Sequence, residues 1–381
     1  MINSIRVYNV GFGDCFLLKI GEKKILVDAG TKKLDNKIKT DIIKDINSEA
    51  INGMYGVITH FHVDHYNLLC KLKHNTFTEF YLPNFFTEKE IKLELYVMAI
   101  LGKNSEAHKF AANLLLTIPE LVGSGIIKNG KSIRFVKKGN HILGNIEVLW
   151  PDYVHGGNID TLLMEMESRI TDNGIRNKIE EITKQYFGLL DIGNGGIIVQ
   201  SDSIDVIKRK IKDIENKTGE VKYEGKTKNL SAGLKEKLQD IQNDYSIVMQ
   251  TEYALDPQRR YYLHLGDVTS RSYEKYIRSQ VINKRYVIVK VAHHGTKDYF
   301  VKDLPEADML IISNGRYSNW DISAKYAVWY SHEKFICTNH DGCELFDTIG
   351  GNCALLKRRL DNSSFEDGTR CGIGAGKFID I

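Results

Sequence analysis

The sequence predicts a mixed α/β chain of the α+β kind. Two sheets pack face to face with helices outside them, an αββα sandwich with a helical insertion. Three observations predict this. The residues up to Asp28 read as a meander of short antiparallel strands. After Asn243, strands alternate with helices, which calls for a partly parallel sheet covered by helices. Between these halves, residues 156–240 are dense in Lys, Glu, Asp and Ile and follow a helical period. The expected division is 1–155 for the N-terminal half of the core, 156–240 for a helical insertion or cap, and 241–381 for the C-terminal half.

Size and composition set outer limits. The 381 residues can bury one large core or two modest ones. With 42% hydrophobic and 27% charged residues, the composition is that of a globular protein. A net charge of +3 does not by itself argue for nucleic acid. No apolar run is long enough to span a bilayer, and the opening residues lack the pattern of a secretion signal. The six cysteines form no Cys-x-x-Cys pair, and Cys337, Cys343 and Cys353 have weak zinc spacing. The expectation is reduced thiols, a cytoplasmic protein and no membrane partner.

In order, residues 5–10 alternate as a strand, and Gly11-Phe12-Gly13-Asp14 is a turn signal. Strands at 15–20 and 25–28 follow, then a helix at 34–47 and a buried strand at 55–59. A short strand is expected at 79–82, one helical region with a broken apolar pattern at 89–116, and strands at 132–136 and 146–150. Within the insertion, helical patterns cover 162–190 and 204–216. Lys and Arg nearly balance Asp and Glu there, so the charges read as a solvated helix face, Lys208-Arg209-Lys210 included. The run 191–196 reads as a turn before a strand at 197–200, or as a substrate loop. The core resumes with strands at 246–252, 261–265, 287–291, 309–313 and 335–337, and helices at 270–280 and 324–331.

The stretch following the strand at 55–59 carries the chemistry. His60, His62, Asp64 and His65 arrive within a few residues. In an extended segment His60 and His62 point the same way. Asp64 and His65 then open an expected helix at 66–73, where a carboxylate is favoured by the free N–H groups. A chance cluster of loop histidines is the bland alternative, but three imidazoles and a carboxylate at this spacing suit a metal.

His-x-His-x-Asp-His after a strand resembles the signature of the metallo-β-lactamase superfamily. Asn9-Val-Gly-Phe-Gly-Asp-Cys-Phe-Leu-Leu18 followed by Leu26-Val-Asp-Ala-Gly30 is similar to the opening of one branch, the soluble hydrolase domain of ComEC-type DNA-uptake proteins and their stand-alone relatives. Asn243-Asp-Tyr-Ser246, Leu265-Gly266-Asp267 and Lys290-Val-Ala-His-His-Gly-Thr296 resemble later motifs of that branch, in the same order. The tail segments Ser313-Asn-Gly315 and Thr338-Asn-His-Asp-Gly342 echo it more faintly. The resemblance covers the core and leaves out the insertion.

It implies a metallo-β-lactamase sandwich and two divalent ions, zinc or manganese. His60 and His62 would hold one, Asp64, His65 and either His293 or His294 the other, with Asp267 bridging. Asp64, Asp267 and His294 are the implied catalytic residues, acting on a hydroxide between the ions, with the spare histidine stabilising charge or protonating the leaving group. Asp14 would sit at the rim of the site, and Asp28 would support a ligand from beneath. Asn243 and Ser246 complete the substrate-binding or supporting set. Most of the superfamily supplies a third histidine to the first ion on the strand that here begins after Asn243; this sequence has none there, which leaves the first ion poorer in ligands, and the branch itself has asparagine near that slot. His155 is a weak substitute, and His264 is expected to point away from the metals.

The implied function is a metal-dependent hydrolase, a phosphodiesterase or nuclease whose partner is a phosphodiester, including nucleic acid or a cyclic nucleotide. Hydrolysis of a lactam, lactone or thioester is the alternative, because the same nucleophile attacks carbonyls. A binding module that has lost its metals is the second alternative, against which the complete ligand set argues.

Overall fold

In the computed structural model of this chain, the N-terminal alternation becomes three antiparallel strands, β1 (Ile2–Val7), β2 (Cys15–Ile20) and β3 (Lys23–Ala29). The structure describes residues 2–189, 227–314, 334–338 and 378–380, apart from 33, 85–86, 102–104, 128–132, 153–156 and 253–255, with a few residues between 205 and 212 and between 322 and 326. Helix α1 (Asn36–Glu49) starts where Asp35 accepts two backbone N–H groups, and it returns the chain to β4 (Met54–Val57), parallel to β3. A one-turn helix α2 (Val63–Tyr66) precedes β5 (Phe77–Pro83). The helix expected at 66–73 is therefore shorter and earlier, with only a 3₁₀ turn at Leu69–Lys71 beyond it. The single helical region expected at 89–116 is two helices, α3 (Glu88–Ile100) and α4 (Glu106–Gly123), and the broken apolar pattern marks the junction.

After β6 (Ile133–Val136), the chain crosses into a second sheet through β7 (His141–Ile142) and β8 (Ile146–Trp150). Helices α5 (Gly157–Ser168), α6 (Asn173–Leu189) and α7 (Thr227–Asp244) follow. Then come β9 (Val248–Glu252), β10 (Arg259–His264), a helical run α8 over 270–281, β11 (Arg285–Lys290), β12 (Glu306–Ile312) and β13 (Lys334–Cys337). A last strand, β14 (Phe378–Asp380), pairs antiparallel with β1. The first sheet has the order β14-β1-β2-β3-β4-β5-β6 and the second β13-β12-β11-β10-β9-β8-β7. Each is antiparallel in one half and parallel in the other. The fold is thus mixed α/β with two mixed sheets.

Period-two patterning sorts the side chains into layers. Phe16, Leu18 and Val27 of the first sheet meet Val148, Met249, Tyr262 and Ile288 of the second in one buried cluster. Cys15, Leu17 and Leu26, on the opposite face, pack with helices α1, α3 and α4. Leu263, Val289 and Leu310 of the second sheet pack on Tyr273, Ile277 and Val281 of α8. The layers therefore run helices, sheet, sheet, helices. Truncating Phe16 to alanine, at 0% exposure, would cost roughly 3–5 kcal/mol.

The inserted helices are part of this body. Helix α3 is buried on nearly every side, Glu90 and Glu94 included, so more than one element covers it. Helices α5 and α6 pack against α3, and α7 packs against α4 through Leu234, Leu238 and Ile241. Helix α7 runs past the expected end of the insertion at 240 to reach the mouth of the cleft. The expected segments 191–196, 197–200 and 324–331, most of 204–216, and His155 lie outside the described residues. No described helix is long and apolar enough to cross a membrane.

Candidate metal centre

The parallel halves of the two sheets end on the same side, and the loops leaving them converge. Where strands end together in this way, α/β folds build their sites. Strand β3 delivers Asp28, the loop after β4 delivers His60, His62, Asp64 and His65, the loop after β10 delivers Asp267, and the turn after β11 delivers His293 and His294. The sheets are stitched here by Ile247 N–H donating to Thr59 O at 2.8 Å. Gly30 is required: a Cβ would lie 2.2 Å from the backbone carbon of Asp64, so this close approach admits no side chain.

All the expected ligands are buried, from His65 and His294 at 0% to His62 at 7% exposure. Asp267 Oδ2 is at the focus. It lies 3.3 Å from the Nε2 of both His65 and His294, 3.8 Å from that of His60 and 3.9 Å from that of His293. His294 Nε2 is also 3.4 Å from Asp64 Oδ2, while the His60 and His62 rings meet edge to face with their centroids 4.4 Å apart.

The rings of His65, His293 and His294 are held from behind, at Nδ1. His65 Nδ1 pairs with Asp28 Oδ2 at 2.9 Å, and Asp28 is itself held by the N–H and hydroxyl of Thr59, both at 2.7 Å. His294 Nδ1 donates to Ser313 O at 3.0 Å, and His293 Nδ1 meets Thr296 Oγ1 at 2.8 Å. Asp28, His293 and His294 all adopt left-handed φ, of 55°, 45° and 56°. Such strain in residues other than glycine collects at functional sites.

Burial pulls His62 and His293 down to about 3, so both are neutral with a lone pair to offer. His65 differs: burial lowers it, but Asp267 and Asp28 outweigh burial and raise it to about 10. His294 is raised in the same way by Asp267 and Asp14. Burial opposes ionisation of Asp64 and Asp267, yet Lys32 and His294 hold Asp64, and His294, His65 and Lys290 hold Asp267, well below the usual carboxylate range. In the described structure, the Nε2 atoms of His60, His62, His65 and His294 and Oδ1 of Asp64 are buried without a hydrogen-bond partner. So many converging orphans normally carry a heavy cost. Imidazole and carboxylate donors suit divalent ions, and an ion here would satisfy them together. Buried Asp and His groups here could therefore hold a metal.

Some expected positions shift. Asp14 is not at the rim. It is fully buried behind the histidines, 3.2 Å from His294 Nδ1 and paired with Lys290 at 2.5 Å. Expected as catalytic, His294 sits deep among the carboxylates with the ligands, and the imidazole that lines the open cavity is His293. Ser246 does not line that cavity; its Oγ accepts the Asp267 N–H at 3.1 Å. Asn243 does line the cavity. His264 lies beneath, its Nδ1 accepting from Gly266 N–H at 3.0 Å and its ring against Phe16 and Tyr262.

Three further residues complete the centre. Lys290, 0% exposed, also reaches Gly266 O at 3.0 Å and Asp267 Oδ1 at 3.4 Å, so Asp267 presents only Oδ2 to the imidazoles. Lys32 pairs with Asp64 Oδ2 at 2.9 Å. Tyr299 stacks on the His293 ring at 3.7 Å. Lys290 belongs to the His-His motif and was within reach of sequence reading. Lys32 and Tyr299 stand in loops with no pattern to mark them. A cavity of about 670 Å³ opens onto His62, Asp64 and His293 and is walled by one face of α7. No protein-family model and no curated protein matches this chain.

Proposed function

We propose that this chain is a metal-dependent phosphodiesterase of the metallo-β-lactamase superfamily. The observation that carries the reading is the gathering of His60, His65 and His294 around Asp267 Oδ2, with His62 beside His60 and Asp64 beside His294 at an open cavity, and with the Nε2 atoms of all four histidines unsatisfied. The four-layer order and the ligand order along the chain support the superfamily assignment.

His60 and His62 would hold one ion, Asp64, His65 and His294 the other, and Asp267 would complete the ligand set. Two zinc or manganese ions would supply Lewis acidity to a phosphoryl oxygen and lower the pKa of water at the centre. The histidine that most of the superfamily supplies on the strand after Asn243 is missing here, which would leave fewer imidazole ligands for one ion and would favour an ion tolerant of oxygen ligands, such as manganese.

The chain's own groups do the rest. Lys290 keeps Asp267 Oδ1 occupied and so fixes the carboxylate's orientation. Lys32, held at Asp64 and lining the cavity, is placed to meet a phosphate oxygen. His293 is neutral at pH 7. The Thr296 hydroxyl donates to His293 O at 3.0 Å, so Nδ1–H of the neutral ring donates to Thr296 Oγ1, and the bare Nε2 can accept a hydrogen bond from water or a substrate group at the cavity. The test is a panel of phosphodiesters assayed with manganese, magnesium and zinc beside nitrocefin and a thioester. Phosphodiester turnover fastest with manganese is expected. Efficient cleavage of nitrocefin or the thioester with every phosphodiester intact would replace this reading with the carbonyl-hydrolase one.

A further inference from the structure

Helix α7 brings five side chains to the cavity: Glu236, Gln239, Asp240, Asn243 and Asp244. Their spacing of three, four, seven and eight residues from Glu236 puts them on one helix face. That face offers carboxylates and amides but no cation. The helix's own Lys235 and Lys237 fall outside the lining. Asp298 adds a further carboxylate, and the described cations of the lining are Lys32, at the metal end, and Arg271.

A second observation points to a ligand. Asn243 is 2% exposed, and its Oδ1 has no hydrogen-bond partner, although its Nδ2 lies 3.5 Å from the Tyr299 hydroxyl. A buried acceptor on a cavity wall calls for a donor. The cavity is thus bipolar. Its inner end, with Lys32 and the proposed ions, suits a phosphate, and its α7 wall suits hydrogen-bond donors and positive charge. A nucleic-acid groove has the opposite wall, basic along the path of the strand.

On the phosphodiesterase reading, we propose that the substrate is a small phosphodiester rather than a polynucleotide strand, and that the ester arm lying along α7 carries a cationic amine. The amine meets Asn243 Oδ1 and the carboxylate of Asp240, with Glu236 one turn further along the helix adding to the negative field, while the phosphate lies at the metal end. Water cleaves one P–O ester bond, its oxygen joins phosphorus, and the departing alkoxide leaves with a proton as the alcohol.

The experiment compares kcat/KM of the manganese-loaded full chain on four p-nitrophenyl phosphodiesters, whose second arm is ethyl, 2-hydroxyethyl, 2-aminoethyl or a 5′-linked thymidine, and on a single-stranded oligonucleotide. The aminoethyl ester should exceed the ethyl ester by about tenfold, mostly through KM, as expected for a cation meeting partly exposed carboxylates. The oligonucleotide should be the poorest substrate. Glu236→Gln should narrow the amine preference while leaving the ethyl ester's kcat in place. Equal rates on the aminoethyl and ethyl esters, or a hydroxyethyl ester better than both, would overturn the amine assignment. An oligonucleotide cleaved better than the small esters would overturn the substrate class and leave the phosphodiesterase reading standing. If no diester is cleaved by the metal-loaded protein, both fail together. Binding of a further divalent ion that Glu236→Gln abolishes would assign the wall to a metal instead.

Discussion

Replacing Lys290 by methionine tests how the centre is held together. The ammonium has three hydrogens and three acceptors: Asp14 Oδ2 at 2.5 Å, Gly266 O at 3.0 Å and Asp267 Oδ1 at 3.4 Å. Methionine keeps the unbranched stem and removes the charge. Breaking a buried pair by deleting one partner costs roughly 3–5 kcal/mol, because the other charge is left uncompensated. The low end applies here, since His294 Nδ1 also faces Asp14 at 3.2 Å. At about 2.1 cal/mol/K per residue, a chain of 381 residues has an unfolding entropy near 0.8 kcal/mol/K. A loss of about 3 kcal/mol then lowers Tm by about 4 °C.

A second effect separates positioning from mere neutralisation. With Oδ1 of Asp267 released, the carboxylate can turn, and divalent-ion affinity should fall roughly 10–100-fold, as for other residues that orient ligands. The assays are a thermal melt of the metal-free protein and a manganese titration, applied to wild type, Lys290→Met, and the double variant Asp14→Asn with Lys290→Met. The double variant removes both charges, so it should recover most of the melting temperature but not the affinity. Full recovery of manganese affinity in the double variant would refute a positioning role, and an unchanged Tm in the single variant would refute the buried pair.

Other outcomes follow from the same geometry. Asp267→Ala should lower metal content at both positions, because Oδ2 is the focus shared by His60, His65 and His294; full metal content by elemental analysis would contradict the bridge. Metal binding at pH 7.5 should release about two protons, since His65, raised to about 10, and His294 hold protons that a divalent ion displaces. Calorimetric titration in buffers of different ionisation enthalpy reads this number, and zero release would contradict it. Glu94 on α3 lies outside the centre, and burial raises its carboxyl from 4.5 to about 8. The folded state holds this proton after the unfolded chain has released it, so the stability is fully present below 4.5 and is lost as pH rises through 8. Glu94→Gln should flatten urea-unfolding stability between pH 5 and 9 and gain up to roughly 4 kcal/mol at the upper end; an unchanged slope would count against it.

The candidate metal loop was legible because His60, His62, Asp64 and His65 sit in one stretch where a buried strand stops. Asp267 and His293–His294 were legible through the resemblance, as motifs at strand ends. The strands of both sheets were legible within a few residues, because Phe16 and Leu18 alternate with Cys15 and Leu17 across a face buried on each side. The α7 wall was not. Its charges were expected to form a solvated face, and sequence alone does not say that the face bearing Glu236, Asp240 and Asp244 turns toward a cavity. Asp14 was misplaced because a Gly-Asp turn normally lies at a surface, whereas here its carboxylate is drawn inward by Lys290 from a distant strand. The terminal strand Phe378–Asp380 is too short to announce itself, and only its pairing with β1 gives it a structure.

The metal content of the purified chain bears most directly on the central claim. After loading with manganese or zinc and removal of free ion, elemental analysis should find close to two ions per chain in the wild type and a clear loss in His62→Ala and Asp267→Ala. A chain that retains no divalent ion, or whose metal survives both substitutions unchanged, would contradict the dinuclear centre.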